Sequence, residues 1–505
     1  MDIFLILILF FISLIIRFLF FQGFVLCDDP EEFGYPKTFL QHKPQFNYHF
    51  HFRFTIWGIN WLFFKLFGIS ELSFFLPTLL MSSTFPILSF LILRIYKYSS
   101  FQSFLASMVV STAPFEIMIG TLRANDLIFA WFTYLAFTTF IFIQKKPKTQ
   151  GFLVGFFLWL ALYAKMWALY FYLIFFIFYL RSYKKSGSYE NFIYFLLTTL
   201  ILHVLTGIYW IKEAGIFFPF FKYHSATYPY KLEELPRLWS IYPTYIFKGS
   251  YINTTLFGEI PYLLIILLFV KLIMSRKMRK NKFDELDFLL LSLYSIFLLF
   301  LNFIPDTPLK FDQYYSVPRI FRYLYPISFP ISLHLSKIII DLISDLISND
   351  KQKMLLTVVI SILIFLNIFR ADEATLPGRK YRLQLLSIVN DVKEIKPPTL
   401  LVDSWIGYFM REVYLRDSNI YIEPIIGIYD AKEYEKWLKE NEEKLPVGSV
   451  IVANFGSCVH YGCYNCGFQL HLFNESLSEK WVLVKEYEYL KFSNQKPSLW
   501  IVKKD

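Results

Sequence analysis

Apolar residues in this chain come in runs of about 20, and most of its Lys, Arg, Asp and Glu side chains are gathered in the stretches between them. A helix of about 20 residues, rising 1.5 Å per residue, spans a hydrocarbon core of about 30 Å. Only a helix can carry such a run through lipid, because it satisfies every backbone N–H and C=O within itself. Composition agrees with this distribution: 56% of the 505 residues are hydrophobic and 18% are charged, against about 25% charged in ordinary soluble domains.

The runs predict about eleven transmembrane helices. They cover Ile3–Leu26, Leu72–Ile95, Phe101–Ile119, Asp126–Ile143, Phe152–Tyr163, Trp167–Leu180, Phe192–Ile211, Ile260–Ile273, Phe288–Phe303, Tyr323–Ile343 and Met354–Phe369. The first run lacks a basic flank and a small-residue cleavage site and is too long for a signal-peptide core, so it reads as a retained span. The net charge of +10 lies in short basic connections. That pattern is the signature of membrane orientation and excludes a nucleic-acid partner. Three basic clusters, Lys145/Lys146/Lys148, Arg181/Lys184/Lys185 and Lys271/Arg276/Lys277/Arg279/Lys280/Lys282, fall on one side together with the amino terminus. By the positive-inside rule that side is cytoplasmic, which makes the chain a multi-pass protein of the cell membrane.

Residues 151–180 test this scheme. As one tilted helix they would hold Lys165 in the hydrocarbon, at about 2.5–3.5 kcal/mol, and would reverse every later span. As a hairpin they place Lys165 at an outward apex, and the hairpin is the expectation. The outward side then also receives the loop from Cys27 to about Glu71, the Thr121–Asn125 turn, the Lys212–Glu259 and Ile304–Arg322 loops, and the tail from Ala371. The sequons at Asn253 and Asn474 fall on that side.

The tail changes character. Leu400–Asp403, Ser449–Val452, Trp481–Val484 and Leu499–Val502 read as strands, the last two as a hairpin pair. Ala431–Asn441 reads as a charged helix, and Pro397-Pro398 as a boundary. The expected architecture is an α-helical polytopic membrane domain, residues 1–370, followed by a small soluble α/β domain, residues 371–505, outside the cytoplasm.

Ionisable groups near membrane depth are functional candidates because they are costly there. Five sets lie on the outward face. Asp28-Asp29 suits general-base work or a divalent metal, though nothing indicates a metal; a solvated turn before Pro30 is the plain alternative. In Arg123-Ala124-Asn125-Asp126 the acidic end caps a helix or serves chemistry. Lys165, and the Arg319/Arg322 pair, bind phosphate or snorkel to the interface. His49, His51 and Arg53 share one side of an extended segment or belong to a solvated loop. Collected on one face, cations to hold a phosphate and carboxylates to activate an acceptor hydroxyl or amine suit a lipid-phosphate donor. Cys458, Cys463, Cys466 and His471 are spaced for a structural zinc site; a disulfide or free thiols fit the same residues.

The order of these motifs resembles the GT-C class of membrane glycosyltransferases, in particular the protein O-mannosyltransferase and lipid A aminoarabinose transferase group. The resemblance rests on the acidic pair after the first span, the stretch from Phe63 to Glu71, Thr121–Asp126, the Gly155–Lys165 segment and Arg322-Tyr323-Leu324-Tyr325-Pro326. It covers about the first 345 residues. It implies transfer of a sugar from a polyprenyl-phosphate carrier to a protein or glycolipid acceptor outside the cytoplasm, with no cofactor required. Asp28 or Asp29 would be the acceptor-activating base, Phe33 favouring Asp29, and Asp126 the second carboxylate. Lys165 and Arg322 would contact the donor phosphate. Where the family often has His-Pro-Pro-Leu or Lys-Pro-Pro-Leu, this chain has His51-Phe52-Arg53-Phe54, and Arg53 replaces the cation. The alternative is a polytopic lipid or sugar transporter or flippase. Such proteins often show internal repeats and midplane charges; no repeat is present, and the candidate charges lie at one face.

Overall fold

The structure is a computed structural model of the whole chain. It describes every residue except 1, 25–28, 44–45, 47–48, 219–227, 250–255, 279–282, 304–312, 317–320, 347–348, 404–407, 417, 426–439, 454–479, 489–497 and 505. Asp28, Arg319, all four cysteines, His471, both sequons and most of the expected 431–441 helix lie outside the described residues, as does the side chain of His49.

The chain divides into two compact units. The first is Met1–Phe21, Thr38–Phe63 and Phe75–Thr375; the second is Gln22–Lys37, Phe64–Phe74 and Leu376–Asp505. The helices in chain order are α1 Asp2–Leu19, α2 Asp29–Thr38, α3 Phe54–Phe67, α4 Glu71–Ile95, α5 Ser100–Thr112, α6 Pro114–Gly120, α7 Asn125–Phe142, α8 Pro147–Leu162, α9 Ala168–Ser186, α10 Glu190–Ala214, α11 Leu235–Phe247, α12 Ile260–Met278, α13 Glu285–Phe303, α14 Ser328–Leu346 and α15 Asn349–Ile395.

Each of the eleven expected runs overlaps one or two of these helices, the first extending past the end of α1 at Leu19 and the tenth starting before α14, but fewer meet the requirements of a span. Among the described residues seven helices are long and apolar enough to cross a membrane, or eight if α5 and α6 form one broken span. The shortfall has local causes. The 16 residues of α8 begin at Pro147-Lys148, α9 ends in Arg181, Lys184 and Lys185, and the apolar part of α12 is only Ile260–Ser275. The break between α5 and α6 bends the chain by 58° at Ala113-Pro114, because Pro114 has no N–H to continue the ladder. Residues 151–180 form two helices in place of a single tilted one, with Lys165 in the connection.

Small residues let these helices approach closely. A Cβ on Gly151 would come 2.2 Å from the Asn191 carbonyl oxygen, and one on Gly155 would come 3.1 Å from that of Phe195. The Gly151-x-x-x-Gly155 stripe of α8 therefore seats α10 backbone to backbone. Aromatic rings fill the interior; Phe297 of α13 stacks on Phe171 of α9 at 5.0 Å.

The second unit contains a five-stranded sheet of order β4-β3-β5-β7-β6, with β3 Thr399–Asp403, β4 Tyr421–Ile425, β5 Val450–Ala453, β6 Trp481–Glu488 and β7 Ser498–Lys504. A separate ribbon in the first unit pairs β1 Tyr228–Lys231 with β2 Gln313–Ser316. Strand β3 is parallel to β4 and β5. Leu400, Leu401, Val402, Val450, Ile451 and Val452 are all buried, the continuous apolar pattern of a strand covered on both faces. Strands β6 and β7 form the expected antiparallel pair; β4, an edge strand whose fourth residue is a proline, is an addition to the expected strands. The last expected span, Met354–Phe369, is part of the 47-residue α15, and Pro397-Pro398 separates that helix from β3.

Candidate functional site

Asp126 is the second residue of α7, where free N–H groups and the helix dipole favour a carboxylate. It is 1% exposed. Lys165 lies between α8 and α9, close to the start of α9, and its Nζ donates to Asp126 Oδ1. Arg322 belongs to the 310 segment Phe321–Ile327; its Nε is 3.8 Å from Asp126 Oδ2. The Lys165 ammonium also sits 3.9 Å from the centre of the Tyr323 ring, a cation–π contact with the residue that follows Arg322. Arg53 acts on the same ammonium electrostatically. Two separate segments thus bring cations to one buried carboxylate, and a third brings Arg53 within electrostatic range of Lys165. The carboxylate holds Lys165 by a hydrogen bond and faces Arg322 as an ion pair, and the two cations are of the kinds that bind phosphate oxygens: Arg as a planar fork, Lys as a point charge.

The remaining expected residues are distributed differently. Arg123 is turned inward: its Nε and Nη2 reach Asn60 Oδ1 at 3.2 and 2.9 Å, tying the turn before α7 to α3. His51 is half-buried, its carbonyl accepts from Trp57 Nε1 at 3.0 Å, and burial lowers its pKa to about 4, so the ring is neutral near pH 7. Asp29 opens α2 and is fully buried. It belongs to the second unit, whereas Asp126, Lys165, Arg322 and Arg53 belong to the first.

Sequence reasoning missed a buried polar network beside the Asp126 cluster. Arg17 in α1 donates from Nε to Ser82 Oγ at 2.9 Å and from Nη1 to the Ser111 carbonyl at 2.5 Å. Tyr325 donates to Glu116 Oε2 at 2.6 Å. All three of these long side chains are buried. The contact joins α6, which leads into Arg123 and Asp126, to the 310 segment that carries Arg322 and Tyr323. The signal was available: Arg17 and Glu116 are lone charges inside apolar runs, which are costly without partners. Tyr325→Phe is expected to lower stability by about 1–3 kcal/mol, because the buried carboxylate loses the tyrosine's hydrogen bond. Thermal unfolding of the detergent-solubilised chain measures it.

A second charge cluster suits structure better than chemistry. Lys271 Nζ lies 2.7 Å from Asp287 Oδ2 and 2.8 Å from Asp341 Oδ2. Lys337 Nζ lies 3.0 Å from Asp284, 2.8 Å from Asp287 and 2.8 Å from Asp341. His334 Nε2 is 3.2 Å from Asp287 Oδ1. Asp284, Asp287 and Asp341 bring ligand oxygens within 4.8 Å of one another, as a metal would require. The two ammonium groups already occupy those oxygens, so the donor set does not fit a cation. Asp287 sits at the start of α13, beside the end of α9 where Arg181 covers the Phe288 ring at 3.9 Å. The Asp126 cluster lies at the other end of α9, which is about 28 Å long.

Residues 55–210 match the family model described as dolichyl-phosphate-mannose-protein mannosyltransferase. That stretch contains Arg123, Asp126 and Lys165. Three solved structures share the fold. ArnT from Cupriavidus metallidurans in the apo state has a TM-score of 0.56 at 10% identity, over 99% of this chain and 97% of that one. The same protein bound to undecaprenyl phosphate has a TM-score of 0.53 at 10% identity, over 98% and 97%. The Archaeoglobus fulgidus oligosaccharyltransferase complex with Zn and sulfate has 0.52 at 10% identity, over 89% and 68%. No curated protein sequence matches the chain. The family match and the shared folds together bear out the expected resemblance to GT-C glycosyltransferases. With the apolar helices, they make the chain a multi-pass membrane protein.

Proposed function

We propose that this chain is a glycosyltransferase that moves a sugar from a polyprenyl-phosphate carrier to a protein or glycolipid acceptor on the non-cytoplasmic face of the membrane. The observation that carries the reading is the Asp126–Lys165–Arg322 cluster, two of whose members lie in the matched stretch 55–210. In this reading Lys165, Arg322 and Arg53 hold the donor phosphate, with Arg319 joining them, and Asp126 holds the cations in register. Asp29, or its neighbour Asp28, takes the proton from the acceptor hydroxyl or amine as that atom attacks the anomeric carbon. The bond from that carbon to the phosphate oxygen breaks, and the lipid phosphate leaves with the electron pair. In this reading His49, His51 and Arg123 belong to the substrate loop segments.

The phosphate is a stable leaving group, so the protein's tasks are positioning, deprotonation and retention of the released anion. The amino terminus is cytoplasmic in this reading, and the C-terminal domain is extracytoplasmic.

The test is transfer of radiolabelled sugar from polyprenyl phosphate by the full chain in lipid nanodiscs. Lys165→Ala and Arg322→Ala are each expected to raise the donor KM about ten- to hundredfold, the loss of one charge-assisted hydrogen bond. Donor kinetics unchanged in both variants would remove the assignment. Uptake of labelled sugar into vesicles without covalent transfer would replace it with a transporter.

A further inference from the structure

The helix that carries Asp29 is held from the tail. Within the second unit, Tyr408 and Phe409 lead into a π-helical turn, Met410–Tyr414, and this short segment meets α2 in three independent ways. The first is aromatic. Phe24, just before α2, stacks on Phe409 with ring centres 3.8 Å apart. Phe33, four residues after Asp29, meets Phe409 edge-on at 5.9 Å and Tyr408 at 6.1 Å. Phe24, Phe33 and Phe409 are all at most 1% exposed. The second is ionic. Lys37 in the last turn of α2 donates to Glu412 Oε2, while Arg411 Nε holds the other oxygen at 3.0 Å. Burial raises the Glu412 carboxyl, and Lys37 and Arg411 more than offset this and hold it below the usual range. The third is steric. A Cβ on Gly34 would come 2.5 Å from the Tyr408 hydroxyl oxygen, so the missing side chain is the space the tyrosine fills. The base of the same loop is fixed by Arg382, whose Nε and Nη2 reach the two Glu71 oxygens at 3.0 and 2.8 Å.

We propose that residues 408–414 are a positioning clamp on the Asp29 helix, so that the C-terminal domain sets the acceptor-activating base in place and is not only a separate acceptor-binding module. This rests on the role given to Asp29 in the proposed function. A helix of 10 residues has little stability of its own. Its mean hydropathy is low, and its orientation comes from what packs on Phe33, Gly34 and Lys37. A base must be held within hydrogen-bond reach of its proton, so a clamp on its helix acts on the chemical step more than on ligand affinity.

The experiment is a charge exchange in the full chain: Lys37→Glu, Glu412→Lys and the double variant, each measured twice. Amide exchange of residues 29–38 is expected to quicken about tenfold in either single variant and to return toward the wild-type rate in the double. The kcat is expected to fall about tenfold in the single variants at unchanged donor KM, and to recover in the double. Exchange unaltered in both single variants overturns the clamp. Single variants that raise only the acceptor KM, with kcat intact, also overturn it and make the segment an acceptor contact. If the wild-type chain transfers no sugar while the exchange pattern still follows the swap, the transferase reading fails and the clamp stands. Should the charge variants not fold, Gly34→Ala with and without Tyr408→Phe asks the same question by size. The expected result is loss in the single variant and rescue in the pair.

Discussion

Asp126→Asn is expected to lower kcat/KM for sugar transfer about 10²- to 10³-fold while the protein still inserts and folds. Asparagine keeps the shape of the side chain and its place in the first turn of α7 but removes the charge that both Lys165 and Arg322 face. Lys165 is 8% exposed, and a buried ammonium without a carboxylate is costly enough to move or to lose its proton. In either event the phosphate site loses its geometry, and a displacement of about 1 Å is enough to cost a hundredfold in rate. Asp126→Glu keeps the charge with one more methylene, and an intermediate loss is expected. Transfer kinetics, with size-exclusion profiles to confirm folding, measure both. Activity within a few-fold of wild type in the asparagine variant removes Asp126 from the site.

Asp287→Ala is expected to have the largest effect on stability, about 3–5 kcal/mol. Lys271 and Lys337 are each at most 1% exposed and share this carboxylate, so its removal leaves two buried ammonium groups sharing the partly buried Asp341, with the exposed Asp284 beside Lys337. His334 loses its carboxylate partner as well and keeps the Tyr294 hydroxyl. The same reasoning predicts a rescue. Replacing the charges together by apolar groups, Asp287→Leu with Lys271→Met and Lys337→Met, removes the uncompensated charge and is expected to recover more than half of the loss. Thermal unfolding in detergent measures both variants. An alanine variant as stable as wild type would show that the cluster does not hold α12, α13 and α14 together.

The two variants separate roles that look alike in sequence. Both aspartates stand in the first turn of a helix, and each is paired with lysine. One belongs to a cluster flanked by the partly exposed Arg322 and Tyr323; the other is closed off by the lysines and histidine around it. Nothing in the local residue pattern distinguishes them, and the sequence reading selected Asp126 while passing over Asp287. Likewise Arg123 was grouped with Asp126 because they are close in sequence, yet the guanidinium turns away to Asn60 on α3.

What the residue string determined by itself was everything that depends on neighbours along the chain. Apolar runs with no internal water partner had to become helices, and Pro397-Pro398 had to end α15; the break at Pro114 inside the expected Phe101–Ile119 span was not determined this way, since α4 runs unbroken through Pro77 and Pro86. Alternating or continuous apolar stretches marked four of the five strands in the tail sheet. Charges stranded at the ends of runs marked Asp126, Lys165 and Arg322 as a group worth attention. Only the tertiary structure decided which of those charges meet. Lys165 reaches Asp126 because α8 and α9 break where they do and pack beside α7. Arg322 joins them because the 310 segment is anchored by Tyr325 on Glu116. Lys37 meets Glu412, far along the chain, only because Phe24 and Phe33 share a core with Phe409. Helix formation is a local balance of hydrogen bonding and burial, whereas the pairing of ionised side chains depends on helix packing, which no window along the sequence contains.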